Sequence, residues 1–142
     1  MFGLDRAQLD SFIMSRELEI IEEALPVPGA GETINQLARN YGIYLVSART
    51  PVYSEKTADW LDRHNISRHG LILLGQHDKR AACQDLRVDL FIEDNFKNAA
   101  QLSSCGIPVL LMDATYNRKK LPDMVTRVFG WQEIKDYIAR VL

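Results

Sequence analysis

The sequence predicts one α/β domain built on a doubly wound parallel sheet, and three observations carry that expectation. Short apolar runs of strand length alternate with segments of helical period, the pattern of a parallel sheet covered on both faces. The 142 residues, 46% hydrophobic and 25% charged, are one domain's worth of ordinary globular composition. Each polar constellation with reactive groups falls at a turn next to a strand run, and open α/β sheets bind ligands at the carboxyl edge of their strands.

Taken in order, residues 5 to about 24 read as a helix. Asp5 and Gln8 have capping-box spacing, and Leu4 and Leu9 stand at staple positions. Leu9, Phe12, Ile13, Ile20 and Ile21 make an apolar face opposite Arg16, Glu17, Glu19, Glu22 and Glu23. Residues 25–29 are a connector rich in proline. A second helix is expected from about Ala30 to Tyr41, with Ile34, Leu37 and Ala38 inward, and Gly42 suits its left-handed stop. Residues 43–46 form a partly β-branched apolar run, the length a buried parallel strand needs. Thr50 and Pro51, an N-cap and a first helical residue, open a helix to about His64 anchored by Trp60 and Leu61.

Residues 71–74 are a second strand run. Asp78 closes the next loop as an N-cap for a short helix from Lys79 to about Arg87. Residues 89–92 are a third strand, followed at its carboxyl end by Glu93, Asp94 and Asn95. A helix over 96–105 stops at Gly106, and residues 108–112 make a fourth strand. A polar loop from Asp113 to about Thr126 carries Tyr116, Asn117 and Arg118, residues 127–129 are read as a short strand, and a last helix runs from Trp131.

Composition excludes several classes of function. The net charge of −2 is scattered, and its longest basic cluster is Arg118-Lys119-Lys120, so neither nucleic acid nor an anionic membrane is an expected partner. No apolar run approaches the roughly 20 residues of a membrane span. Cys83 and Cys105 lack metal-site or disulfide spacing and read as small buried thiols. With neither a disulfide framework nor a signal peptide, the expected location is the cytoplasm.

Three groups near strand ends combine into a chemistry. Ser47, Ala48 and Arg49 follow the first strand and offer a hydroxyl, exposed amides and a guanidinium, which favour a phosphate. Lys79 sits at a helix start, where a cation opposes the helix dipole. Glu93 and Asp94 are adjacent carboxylates that repel unless a cation joins them. Donors for phosphoryl oxygens, a fixed cation and a carboxylate-held metal are the parts phosphoryl transfer needs. The expectation is that Ser47, Lys79 and Asp94 converge on one rim.

These residues, in this order, resemble the haloacid dehalogenase superfamily, and more finely its bacterial 5′-nucleotidase branch, related to the cytosolic 5′(3′)-deoxyribonucleotidases. The likeness spans residues 28–131 and is carried by Pro28-Gly29-Ala30, Leu45-Val-Ser-Ala-Arg49, Lys79, Asp89-Leu-Phe-Ile-Glu-Asp-Asn95, Ile107-Pro-Val-Leu-Leu111 and Val128-Phe-Gly-Trp131. The resemblance implies that Ser47 and the Ala48 amide bind the transferring phosphoryl group and that Lys79 neutralises its charge. It implies Mg²⁺ held by Asp94, with Glu93 as second ligand or outer partner, and a nucleotide touched by Arg49 and the loop around Asn117. The substrate it implies is a small phosphate ester, a (deoxy)nucleoside monophosphate.

The family also has a first strand ending in Asp-x-Asp, whose first aspartate is the nucleophile. The sequence contains no Asp-x-Asp. Residues 1–25 resemble the helical cap insertion that follows that strand, leaving 26–142 as the α/β core of what is effectively one domain. The chain therefore looks like a member that starts late, whether by truncation, a misplaced start codon or genuine degeneration, and is expected to be inactive as it stands. The missing strand would lie between the strands at 43–46 and 89–92. Those two would then pair directly, leave a slot or recruit another strand, and the open edges predict a homodimer or reduced stability. Two other readings stay open: a non-catalytic phosphate- or nucleotide-binding protein on the same fold, and a receiver-like or flavodoxin-like domain.

Overall fold

The structure, a computed structural model, describes residues 10–15 and 28–142. Six parallel strands form one sheet: β1 (Asp10–Ser15), β2 (Tyr41–Ser47), β3 (Gly70–Leu73), β4 (Leu90–Glu93), β5 (Val109–Met112) and β6 (Val125–Val128), in the order β3-β2-β1-β4-β5-β6. The helices are α1 (Ala30–Leu37), α2 (Ser54–Arg63), α3 (Arg80–Asp85), α4 (Phe96–Ser104) and α5 (Trp131–Val141), with 3₁₀ turns at Pro51–Tyr53 and Thr115–Asn117.

Strand side chains alternate between two cores, as the pleat requires. Ile43, Leu45, Leu90, Ile92 and Leu110 face α1, α2 and α5, where Ile34, Trp60 and Ile134 complete one cluster. Val46, Phe91, Val109 and Leu111 face α3 and α4, where Cys83, Ala99 and Leu102 complete the other. The doubly wound parallel sheet read from the sequence is therefore what the chain forms. Cys83 is fully buried, as expected of a packing thiol, and Cys105 is half-buried. Among the described residues no helix is long and apolar enough to cross a membrane.

One expectation is corrected. Residues 10–15, placed in a helix by their period, form β1, the central strand; the rest of the proposed cap at 1–25 lies outside the described residues. The physical reason is tertiary. A position between two buried parallel strands offers hydrogen-bond ladders on both sides, and six residues there gain more than from one turn and a half of helix. The place between β2 and β4, expected to be empty or filled by a strand from elsewhere, is occupied by residues 10–15. Among the described residues no open slot separates β2 from β4, and the edges of the sheet are β3 and β6.

Smaller shifts occur at element ends. The helix expected from Pro51 starts as a 3₁₀ turn and becomes α-helical at Ser54, with no side-chain cap from Thr50. The last strand is Val125–Val128 rather than 127–129, because it extends β5 in register from Val109↔Val125 to Met112↔Val128.

Candidate active site at the sheet rim

All strands run the same way, so the chain leaves β2 and β4 on one edge, and the register fixes the relative height of the residues there. Met14 of β1 pairs with Leu45 on one side and Ile92 on the other. Ser47 and Asp94 each lie two residues further along, and so stand level across β1. Their backbones are separated by two strand spacings, roughly 10 Å. Glu93, one residue before Asp94, holds Lys79 on the α3 face.

On the β2 side, Ser47 is buried and its Oγ accepts the Arg49 N–H at 3.1 Å, which curls the chain into a tight turn. That turn is fastened to the end of β3: Leu74 N–H donates to the Ser47 carbonyl at 2.9 Å and Gly75 N–H to that of Arg49 at 3.0 Å. Gly75 has φ +69 there, and a Cβ on it would sit 3.4 Å from the Pro51 ring, so glycine fits this approach best. Arg49 is half-buried, with its guanidinium over the Tyr53 ring at 5.6 Å.

Lys79 is the N-cap residue of α3 and is 1% exposed. Its ammonium lies 3.0 Å from Glu93 Oε2, with both side chains fully removed from solvent, and 5.8 Å from the Phe91 ring centroid. The pleat explains the meeting: Glu93 is two residues beyond Phe91 and so projects to the same α3/α4 face. Asp78, the expected cap, instead accepts the Arg80 N–H and pairs with the Arg80 guanidinium, leaving the Lys79 side chain to turn inward.

Glu93 has both oxygens engaged. Oε2 takes Lys79, and Oε1 accepts the N–H groups of Asp94 (3.1 Å) and Asn95 (3.2 Å). Burial pushes its carboxyl above the usual range, while Lys79 and the Asn95 amide draw it back. With three hydrogen bonds fixing its carboxylate within the protein, Glu93 supports the turn.

Asp94 is different. Asn95, not Asp94, caps α4, accepting the Asn98 N–H at 2.9 Å, so the Asp94 carboxylate is not used for capping. The Tyr116 hydroxyl donates to Oδ2 at 2.6 Å, and Asn117 Nδ2 donates to the Asp94 carbonyl at 2.7 Å. Oδ1 is buried and has no hydrogen-bond partner. A buried, unpartnered carboxylate oxygen wants a cation or a water.

These features fit a divalent cation as a single-carboxylate site. Mg²⁺ commonly binds through one or two carboxylates and completes its shell with water and phosphate oxygens. Among the described residues there is no group of three or more His, Cys, Asp or Glu able to enclose a metal, and Asp94, with its unpartnered oxygen, is the candidate ligand.

Asn117 is brought to the rim but not opened to it. It is 0% exposed; its amide donates to the Asp94 and Met112 carbonyls (2.7 and 2.8 Å) and accepts from Ala114 N–H (3.0 Å) and Arg127 Nη1 (2.9 Å). Its side chain therefore ties the ends of β4 and β5 together, and the loop it holds is what faces the rim. Arg127 donates further to the Asn117 carbonyl and to Asp113. Arg118 beside Asp113 holds that carboxyl below its usual range. The contacts that sequence reasoning missed are those of Tyr116 with Asp94 and of Arg127 with Asn117. The nearest signal was the pair Tyr116-Asn117 itself, in a loop following a strand end.

Three comparisons bear on this site. The family model described as 5′ nucleotidase, deoxy (pyrimidine), cytosolic type C protein matches residues 5–142. A nucleotidase of Clostridium acetobutylicum is 38% identical over 108 residues, covering 76% of this chain and 56% of the relative. A candidate nucleotidase of Halalkalibacterium halodurans is 28% identical over 137 residues, covering 96% of this chain and 70% of the relative. The chain therefore spans little more than half the length of the first of these. In fold, it superposes on the NMR structure of the core domain of a candidate phosphoglycolate phosphatase from Streptococcus pneumoniae. The TM-score is 0.62 at 12% identity, over 94% of this chain and 98% of that one.

Proposed function

The chain belongs to the family of cytosolic type C 5′(deoxy)nucleotidases, within the haloacid dehalogenase superfamily, and on that premise we propose that its rim binds the phosphate of a (deoxy)nucleoside monophosphate together with Mg²⁺. Ser47 Oγ and the Ala48 amide receive the phosphoryl oxygens. Lys79, held by Glu93, supplies the positive charge beside them from a dry position. Asp94 Oδ1 is the protein's ligand to the cation, which when bound neutralises further phosphoryl charge. Arg49 and the loop carried by Asn117 border the nucleoside. A cytoplasmic location fits this reading.

The observation that supports it best is the combination at the end of β4: a fully buried Lys79–Glu93 pair next to a carboxylate with one orphaned oxygen. A structural ion pair alone gives no reason for the second acid. For residues 1–142 as they stand, we propose binding without turnover, since no Asp-x-Asp is present to attack phosphorus. That is also where the second reading, a non-catalytic phosphate- or nucleotide-binding protein, draws its support. Calorimetry with deoxynucleoside monophosphates, paired with a phosphate-release assay, tests both halves. Binding lost in Ser47→Ala, without release, is expected. Absence of binding would overturn the nucleotide reading; release abolished by Asp94→Asn would overturn the claim of no turnover.

A further inference from the structure

Tyr116 has no place in the chemistry described so far, yet it makes the shortest contact in the site. It is 64% exposed, and its hydroxyl donates to Asp94 Oδ2 at 2.6 Å, the length of a charge-assisted O–H···O⁻ bond. Exposed tyrosines have solvent to bond to, so a phenol fixed on a particular carboxylate oxygen is a constraint on the carboxylate. The next residue, Asn117, fixes the Asp94 carbonyl at 2.7 Å, and the Glu93 carboxylate fixes the Asp94 N–H at 3.1 Å. The backbone of Asp94 is thus held at both polar groups, its side chain at one oxygen, and the remaining oxygen is the buried orphan.

We infer that Tyr116 is a positioning residue: its hydroxyl selects which Asp94 oxygen turns towards the cation and holds the carboxylate in that rotamer. The inference rests on the reading of Asp94 as cation ligand and deepens it. A carboxylate free to rotate would offer either oxygen and would have to be ordered on binding; one already tethered through Oδ2 presents Oδ1 alone. Outer partners of metal-binding carboxylates commonly act this way, and their loss weakens metal affinity by roughly 10-fold or more. Tyr116→Phe keeps the exposed ring and removes the hydroxyl that makes the tether.

The test is a titration of the ¹⁵N-labelled 142-residue chain with Mn²⁺, read as paramagnetic broadening of amides around residue 94, alongside thermal unfolding. Wild type, Tyr116→Phe, Asp94→Asn and the double variant are compared. Asp94→Asn is expected to lose the localised broadening. Tyr116→Phe should unfold as wild type does but need roughly 10-fold more Mn²⁺, and should add nothing in the Asp94→Asn background, since the two act as one unit. Equal or tighter Mn²⁺ binding by Tyr116→Phe, with Asp94→Asn still inactive in binding, overturns the role of Tyr116 and leaves that of Asp94 standing. No localised binding in wild type, or binding that survives Asp94→Asn, overturns the cation reading of Asp94 and this inference with it.

Discussion

The α3 side of the rim and the β5 side are built from the same kinds of residue to opposite ends. On the α3 side, Lys79 and Glu93 meet in a dry core where each charge has its counterpart and both carboxylate oxygens are engaged. On the β5 side, one residue later in the chain, Asp94 is bonded to an exposed phenol and keeps a buried oxygen without a partner. The first arrangement is closed and serves the fold as well as the site. The second is incomplete, and its incompleteness is what reads as function. Adjacent carboxylates can therefore be told apart by accounting for their hydrogen bonds, which their shared residue class does not reveal.

The largest expected effect comes from opening the closed side. Lys79→Met leaves Glu93 buried without its cation and should lower the free energy of unfolding by about 3–5 kcal/mol, whereas Lys79→Met with Glu93→Leu should recover most of that loss. Urea unfolding of both variants measures it; equal losses would contradict the expectation that the lone Glu93 charge causes the loss. Next is the clamp between the two sides. Asn117→Ala strands the Asp94 and Met112 carbonyls and the Ala114 N–H, and should cost about 2–3 kcal/mol in the same assay.

The smallest is at the outer end of that clamp. Arg118 and Arg127 hold the Asp113 carboxyl below its ordinary value of 3.8. A depressed carboxyl contributes stability that is present above that value and is lost as pH falls through the folded pKa. Asp113→Asn should therefore match wild type more closely under acid conditions than at neutral pH. A gap between the two that stays constant down the acid limb would show that Asp113 does not act through its charge.

Much of this was legible in the sequence where position along a strand decides the outcome. Ser47 and Asp94 could be placed because each follows an apolar run, and the ends of parallel strands share an edge. Residues 10–15 could not be read as a strand, because Phe12, Ile13 and Met14 lie in a segment whose wider period is helical. They become β1 only through β2 and β4 on either side. The different roles of Glu93 and Asp94 were also hidden: they depend on partners at distances in the chain, 14 residues to Lys79 and 22 to Tyr116, that no local pattern encodes. Asn117 read as a ligand-facing loop residue for the same reason, since its partners Asp94 and Arg127 lie 23 and 10 residues away.

The contrast between the two sides is tested most directly by chemical unfolding of wild type and Asp94→Asn with and without Mg²⁺. Without the ion, the variant should be at least as stable as wild type, because it removes a charge that leaves one carboxylate oxygen buried and unpartnered. With it, wild type alone should gain stability, in proportion to the logarithm of ion concentration once the site is near saturation. An Asp94→Asn chain that loses as much stability as Lys79→Met, or that gains as much from Mg²⁺ as wild type does, would contradict the account.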